Sequence, residues 1–183
     1  VLLDDGVGDV IVADGGDHAA VGKGSIRLRY VVANPSSYLY FDAQRPVNVG
    51  HCREQDRWRY GLNDPVPYVT AQGDARTFEA RYFGRRVIYL LGGNDIDPNH
   101  SALDKSCAGE AQGAFRLERG NNYFAHLQRR ARAQNLTLRH SRVEVPGVGH
   151  EAERMLNSVC GRAALFDAAG CEMKPGEAMT APK

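Results

Sequence analysis

Two glycine-bounded turns hold the side chains best suited to moving a proton. Gly92-Gly93-Asn94-Asp95-Ile96-Asp97-Pro98-Asn99-His100 follows the apolar run Val87–Leu91, and Pro146-Gly147-Val148-Gly149-His150-Glu151 follows a second run that ends at Val145. If these runs are parallel strands of one sheet, both turns lie at its carboxyl edge, where ligands bind in open α/β folds. An acid and a histidine then meet there. Their shared chemistry is base catalysis: the imidazole takes a proton from a nucleophile, while a fixed carboxylate sets its tautomer and stabilises the imidazolium. His150 is the base candidate, and Asp95 and Asp97 are both acid candidates, one of them free to cap its own turn as Asp before Pro commonly does. A calcium loop is a competing reading, since Asp95, Asp97 and Asn99 have the spacing of its first three ligands. It fails because His100 stands where glycine is required and Ser106 where the twelfth ligand, Glu, should be.

The nucleophile is harder to place. No Gly-x-Ser-x-Gly occurs in the 183 residues, and a serine in a tight strand-to-helix elbow needs small residues two positions to either side. Ser36 is flanked at those positions by Asn34 and Tyr38, Ser37 by Pro35 and Leu39, and Ser25 by Lys23 and Arg27. Asp14, just before Gly15-Gly16, is the nearest nucleophilic group to a turn of this kind and is a low-ranked candidate because Val12 is bulky. Gly22-Lys23-Gly24-Ser25 lacks the spaced first glycine of a phosphate loop. Cys52, Cys107, Cys160 and Cys171 have no C-x-x-C pairing, so no zinc site is expected. Buried free thiols are the default expectation, with one disulfide open to an exported chain.

Positioning these residues requires strands that end together. Short apolar runs bounded by Gly, Asn or Pro predict strands at Asp9–Ala13, Leu28–Ala33, Val87–Leu91 and Thr137–Val145, the pattern of parallel strands covered on both faces. Helical spacing predicts Gln112–Gln134, divided at Gly113 and Gly120, and Glu151–Phe166 with Met155, Leu156, Val159, Ala163 and Phe166 on one stripe. An aromatic, turn-rich excursion over residues 42–83 includes Trp58, Tyr60 and Tyr68 and reads as a cap-like loop over one sheet edge. Residues 1–168 form the predicted domain and 169–183 a flexible tail.

Composition sets the outer limits. Lys plus Arg number 23 against 22 Asp plus Glu, a net charge of +1, so no charge excess points to nucleic acid. With 43% hydrophobic and 25% charged residues the chain is unlike disordered sequences, and no apolar run approaches the roughly 20 residues of a membrane span. The basic group Arg129, Arg130, Arg132, Arg139, His140 and Arg142 reads as a solvated face, with an anionic-polymer patch as the sharper alternative.

The segments VIYLLGGNDIDPNH, AQGAFRLERGNNYF and VPGVGHEAERML, together with RYVVANPSSYLYF and WRYGL, resemble the carboxyl-terminal half of bacterial α/β hydrolases of the esterase or depolymerase-like group, over roughly residues 19 to 167. The resemblance implies an α/β fold with a partial parallel sheet flanked by helices, and hydrolysis of an ester or related acyl bond in a small or polymeric substrate without cofactor or metal. It also implies His150 as base and Asp95, three residues past Gly92, in preference to Asp97 as acid. The serine motif is missing and the chain starts at Val1 without Met, so it is expected to be the carboxyl-terminal piece of a serine hydrolase with an open sheet edge through which copies associate. The alternatives are an inactive relative that serves as a binding module, or an enzyme that uses Asp14 or a nucleophile from a second chain.

Overall fold

Val87 to Leu91 places apolar side chains at successive positions, and a strand built this way has no polar face to give to water. The computed structural model describes the backbone of residues 12–15, together with residues 28–71 and 73–182. In chain order its elements are β1 (Val12–Gly15), β2 (Leu28–Ala33), α1 (Pro67–Thr70), α2 (Ala75–Phe83), β3 (Arg86–Gly92), α3 (Cys107–Glu110), α4 (Arg116–Gln134), β4 (Ser141–Val145), α5 (Ala152–Asn157), α6 (Val159–Phe166) and β5 (Ala178–Thr180). The strands lie side by side in sequence order. β2, β3, β4 and β5 are mutually parallel and β1 is antiparallel to β2.

Helices cover both faces. Val31, Ala33, Ile88, Leu90, Val143 and Val145 pack with Met155, Cys160 and Ala164 from α5 and α6. The alternate residues Val32, Val87 and Tyr89 pack instead with Phe83 from α2 and Tyr123, Phe124, Leu127 and Ala131 from α4. Each side chain of β3 from Val87 to Leu91 is therefore buried, which accounts for the unbroken apolar run.

Several elements differ from their predicted form. Helix α4 starts at Arg116 and runs through Gly120 without a break. That glycine serves close approach, since a Cβ there would stand 2.5 Å from Leu91 Cδ1 on β3 and 2.9 Å from the Tyr38 hydroxyl. The helix predicted at Glu151–Phe166 is divided at Ser158, whose backbone is extended (ψ 162°) and whose hydroxyl accepts the Gly161 N–H at 2.9 Å as the cap of α6. The last predicted strand is shorter than its apolar run, beginning at Ser141. The segment expected to be a flexible tail supplies β5, paired with β4 from Ala178 to Thr180.

The cysteines are not the free thiols expected. Cys52 pairs with Cys107 and Cys160 with Cys171, at Cα separations of 5.8 and 5.1 Å. The second bond ties the 169–183 segment to α6. The basic group is likewise neutralised in part: Arg130 forms a two-pronged bond to the buried Glu79, Arg129 and Arg130 both face Asp42, and Arg142 pairs with Glu144.

His140, expected on that solvated face, is fully buried. Its Nε2 donates to the Tyr82 carbonyl at 2.8 Å, which leaves Nδ1 to accept from the Tyr89 hydroxyl at 3.3 Å, and Tyr89 in turn shares a 2.5 Å bond with the Tyr82 hydroxyl. Burial disfavours the charged ring and lowers the His140 pKa from 6.5 to about 4, against the bond to the Tyr82 carbonyl, so the imidazole is neutral at neutral pH. His126, also buried, falls to about 4, with burial the largest cause and Arg129 and Arg130 adding to it against Asp42.

Two tests follow from this packing. Between pH 6.5 and 4 the unfolded chain binds protons that these folded histidines refuse, so stability falls as pH is lowered through that window, by roughly 3 kcal/mol for His140 alone. Denaturant titrations across this range should show the loss, and His140→Gln should make the dependence shallower. Reduction should also lower stability: closing loops of 55 and 11 residues is worth roughly 4 and 3 kcal/mol in the chain-entropy account, measurable by melting with and without a thiol reductant.

Candidate active site

The turn that carries Asp95 and the turn that carries His150 come together because glycine lets their backbones touch. A Cβ on Gly92 would lie 2.5 Å from the Val148 carbonyl oxygen and 2.6 Å from that of Gly149, a space open only to hydrogen. Across this contact Gly93 N–H donates to the Val145 carbonyl at 2.9 Å and Asn94 N–H to that of Val148 at 2.8 Å, while Asp95 N–H folds back onto the Gly92 carbonyl at 3.0 Å. Asp95 and His150 are thereby brought face to face. The His150 Nδ1 lies 3.0 Å from Asp95 Oδ2, with the carboxylate side chain 2% exposed and the imidazole 14%.

The other carboxylate oxygen meets a cation. Arg116, at the first position of α4 and itself buried, holds Nη1 3.5 Å from Asp95 Oδ1 and donates through Nη2 to the Ala102 carbonyl at 2.5 Å. The following residue, Leu117, donates its N–H to the Asp95 carbonyl at 3.2 Å. Asp95 is thus fixed from three directions, and its charge is shared between an imidazole and a guanidinium. His100, further along the acid turn, sets its ring at 71° to that of His150 with 5.0 Å between centroids, and its Nδ1 accepts the Ala102 N–H at 3.1 Å. The Nε2 of His150 has no hydrogen-bond partner among the described residues, so the atom that would receive a proton is available.

The two acid candidates occupy different surroundings. Asp97 is exposed and its Oδ1 accepts the Asn99 N–H at 2.8 Å, the turn-capping role that its place before Pro98 suggests. Asp14 stands opposite Arg29 in the β1–β2 register. That is four residues, or about 13 Å, short of the carboxyl end of β2 at Ala33, so β1 does not bring it to the two turns. Ser36 serves the framework, its hydroxyl accepting the Asp104 N–H at 2.6 Å. Ser25 and the Gly22-to-Ser25 segment lie outside the described residues. Among the described residues one group of three could offer metal ligands, Cys52, Glu54 and Cys107, but its two sulfurs are bonded to each other.

Sequence reasoning overlooked Arg116 and Asn34. Arg116 had a visible signal, because Arg116, Arg119, Tyr123 and Leu127 share one buried stripe of α4 and a charged group on such a stripe needs a partner. Asn34, whose side-chain amide reaches both turns, had none beyond its place at a strand end.

Solved structures match the fold over part of their length. A poly(3-hydroxybutyrate) depolymerase, LpqC, from Bordetella parapertussis superposes with a TM-score of 0.57 and 26% identity over 75% of this chain and 40% of its own. The fold is α/β-hydrolase-like. Poly(aspartic acid) hydrolase-1 from Sphingomonas sp. KT-1 gives a TM-score of 0.50 and 26% identity over 67% of this chain and 40% of its own. The α/β-hydrolase-like chain thus spans about 40% of the length of each of these neighbours. No protein-family model and no curated protein matches it.

The buried cluster distinguishes the two aspartates energetically. Asp95→Asn leaves the Arg116 guanidinium buried without its counter-charge and should cost about 3–5 kcal/mol. Asp97→Asn keeps an oxygen to accept the Asn99 N–H and should change stability by about 0.5 kcal/mol or less. Urea denaturation of the two variants beside the parent chain measures both.

Proposed function

We propose that this chain carries the acid and base of an α/β hydrolase that cleaves an ester or related acyl bond, with His150 as the base and Asp95 as the carboxylate that orients it. The observation that supports the reading is the 3.0 Å contact between His150 Nδ1 and a carboxylate buried beside Arg116. Asp95 holds the proton on Nδ1, so Nε2 presents its lone pair to a nucleophile; when that proton is taken, the imidazolium faces a fixed negative charge. The proton then passes to the leaving group, and the pair returns to its starting state. The neighbours named for poly(3-hydroxybutyrate) and poly(aspartic acid) support a small or polymeric substrate joined by ester or amide bonds. In this reading copies of the chain associate through the outer strands of the sheet, β1 and β5.

A second reading has its own observation. With no Gly-x-Ser-x-Gly in the 183 residues, the chain can be an inactive relative that binds such a substrate and does not turn it over. The two readings separate in an assay of p-nitrophenyl butyrate and oligo(3-hydroxybutyrate). If His150 is a base, the chain hydrolyses the activated ester above background with water as nucleophile, and His150→Gln removes about 100-fold or more of that excess while Asp97→Asn preserves it. A fluorophosphonate leaves the chain unlabelled. Oligomer binding with no His150-dependent hydrolysis would overturn the catalytic reading in favour of the binding module.

A further inference from the structure

We propose that Asn34 is a positioning residue that sets the spacing of the Asp95–His150 pair, an inference that rests on the reading of these two residues as acid and base. Asn34 directly follows β2 and is buried, with 4% of its surface exposed. Its Oδ1 accepts the Gly92 N–H at 2.7 Å and its Nδ2 donates to the Gly149 carbonyl at 2.9 Å. Its own N–H donates to the Leu90 carbonyl at 3.0 Å. One short side chain therefore joins the ends of three neighbouring strands, β2, β3 and β4.

The two bonded peptides are those that carry the site. Gly92 receives the Asn34 oxygen at its N–H, and its carbonyl accepts the Asp95 N–H, so the amide leads through one residue to the acid. The Gly149 carbonyl belongs to the peptide whose nitrogen is that of His150, so the Asn34 donor fixes the plane from which the base projects. Few side chains could do this. The span requires a donor and an acceptor on one planar group, which among side chains this short only the Asn amide provides. The backbone narrows the choice further: Asn34 has φ 46°, a left-handed conformation that Asn and Asp tolerate and most residues do not, and the Pro35 that follows disfavours the right-handed helical alternative.

The substitution Asn34→Asp would keep the size, the conformation and the Gly92 acceptor, yet would set a carboxylate oxygen against the Gly149 carbonyl. Asn34→Gly would keep the conformation and remove both bonds. The test is the downfield proton resonance of the His150 Nδ1–H in the ¹⁵N-histidine-labelled chain, assigned by its loss in His150→Gln. In the parent chain it is present. In Asn34→Asp and Asn34→Gly it is lost while each variant still melts cooperatively. Retention of the resonance in either folded variant overturns the role given to Asn34. Its absence from the parent chain instead overturns the acid–base reading itself. Amide exchange in the unmutated chain gives a check that needs no variant to fold: Gly92 N–H should exchange as slowly as its β3 neighbours, and rapid exchange would mean that Asn34 does not hold it.

Discussion

A carboxylate taken out of water must find positive charge or hydrogen-bond donors, and at the carboxyl edge of this sheet that requirement organises everything nearby. Asp95 lies between Arg116 and His150, so the first turn of α4, the end of β3 and the end of β4 are fixed relative to one carboxyl group. Arg116 matters as much to this arrangement as the imidazole does. Without a cation the buried carboxylate would be costly, and without the carboxylate the buried guanidinium would keep its bond to the Ala102 carbonyl but lose its counter-charge.

Packing elsewhere supplies the rigidity that such a cluster needs. The two apolar layers hold the sheet from both sides, and Gly120 allows α4 to approach β3 closely enough for its first turn to reach Asp95. The Tyr82, Tyr89 and His140 chain adds a polar link on the same side of the sheet as α4, satisfied at each atom. A network of that kind specifies one arrangement of its strands more sharply than apolar contact does. Cys52–Cys107 ties the aromatic excursion to α3, just downstream of the acid turn.

Much of this was legible in the residues. β2 coincides with its predicted run and β3 extends its own by one residue at each end, and in β3 hydrophobicity is continuous because both of its faces are buried. The two glycine-bounded turns could be read from the sequence, and Asp95 and His150 meet at the carboxyl edge of the parallel strands. Less could be read where a local signal had two meanings. Gly120 reads as a helix breaker in isolation and as a close contact in the fold. Ser158 divides a helix whose apolar stripe runs on without interruption. β5 contains little that marks a strand, its pairing being a product of its neighbour β4 and of the Cys160–Cys171 link. The disulfides follow from which turns the fold brings within about 6 Å, a long-range fact that spacing along the chain does not encode.

The contact between Gly92 and the base turn has a mechanical consequence. Two backbones that meet with only a hydrogen between them, and share ladder bonds on either side, behave as one body. Asp95 cannot be withdrawn from His150 by a small loop movement, since any displacement of one turn carries the other with it. Any group brought to this edge of the sheet therefore meets an imidazole whose position and orientation are already settled by its carboxylate.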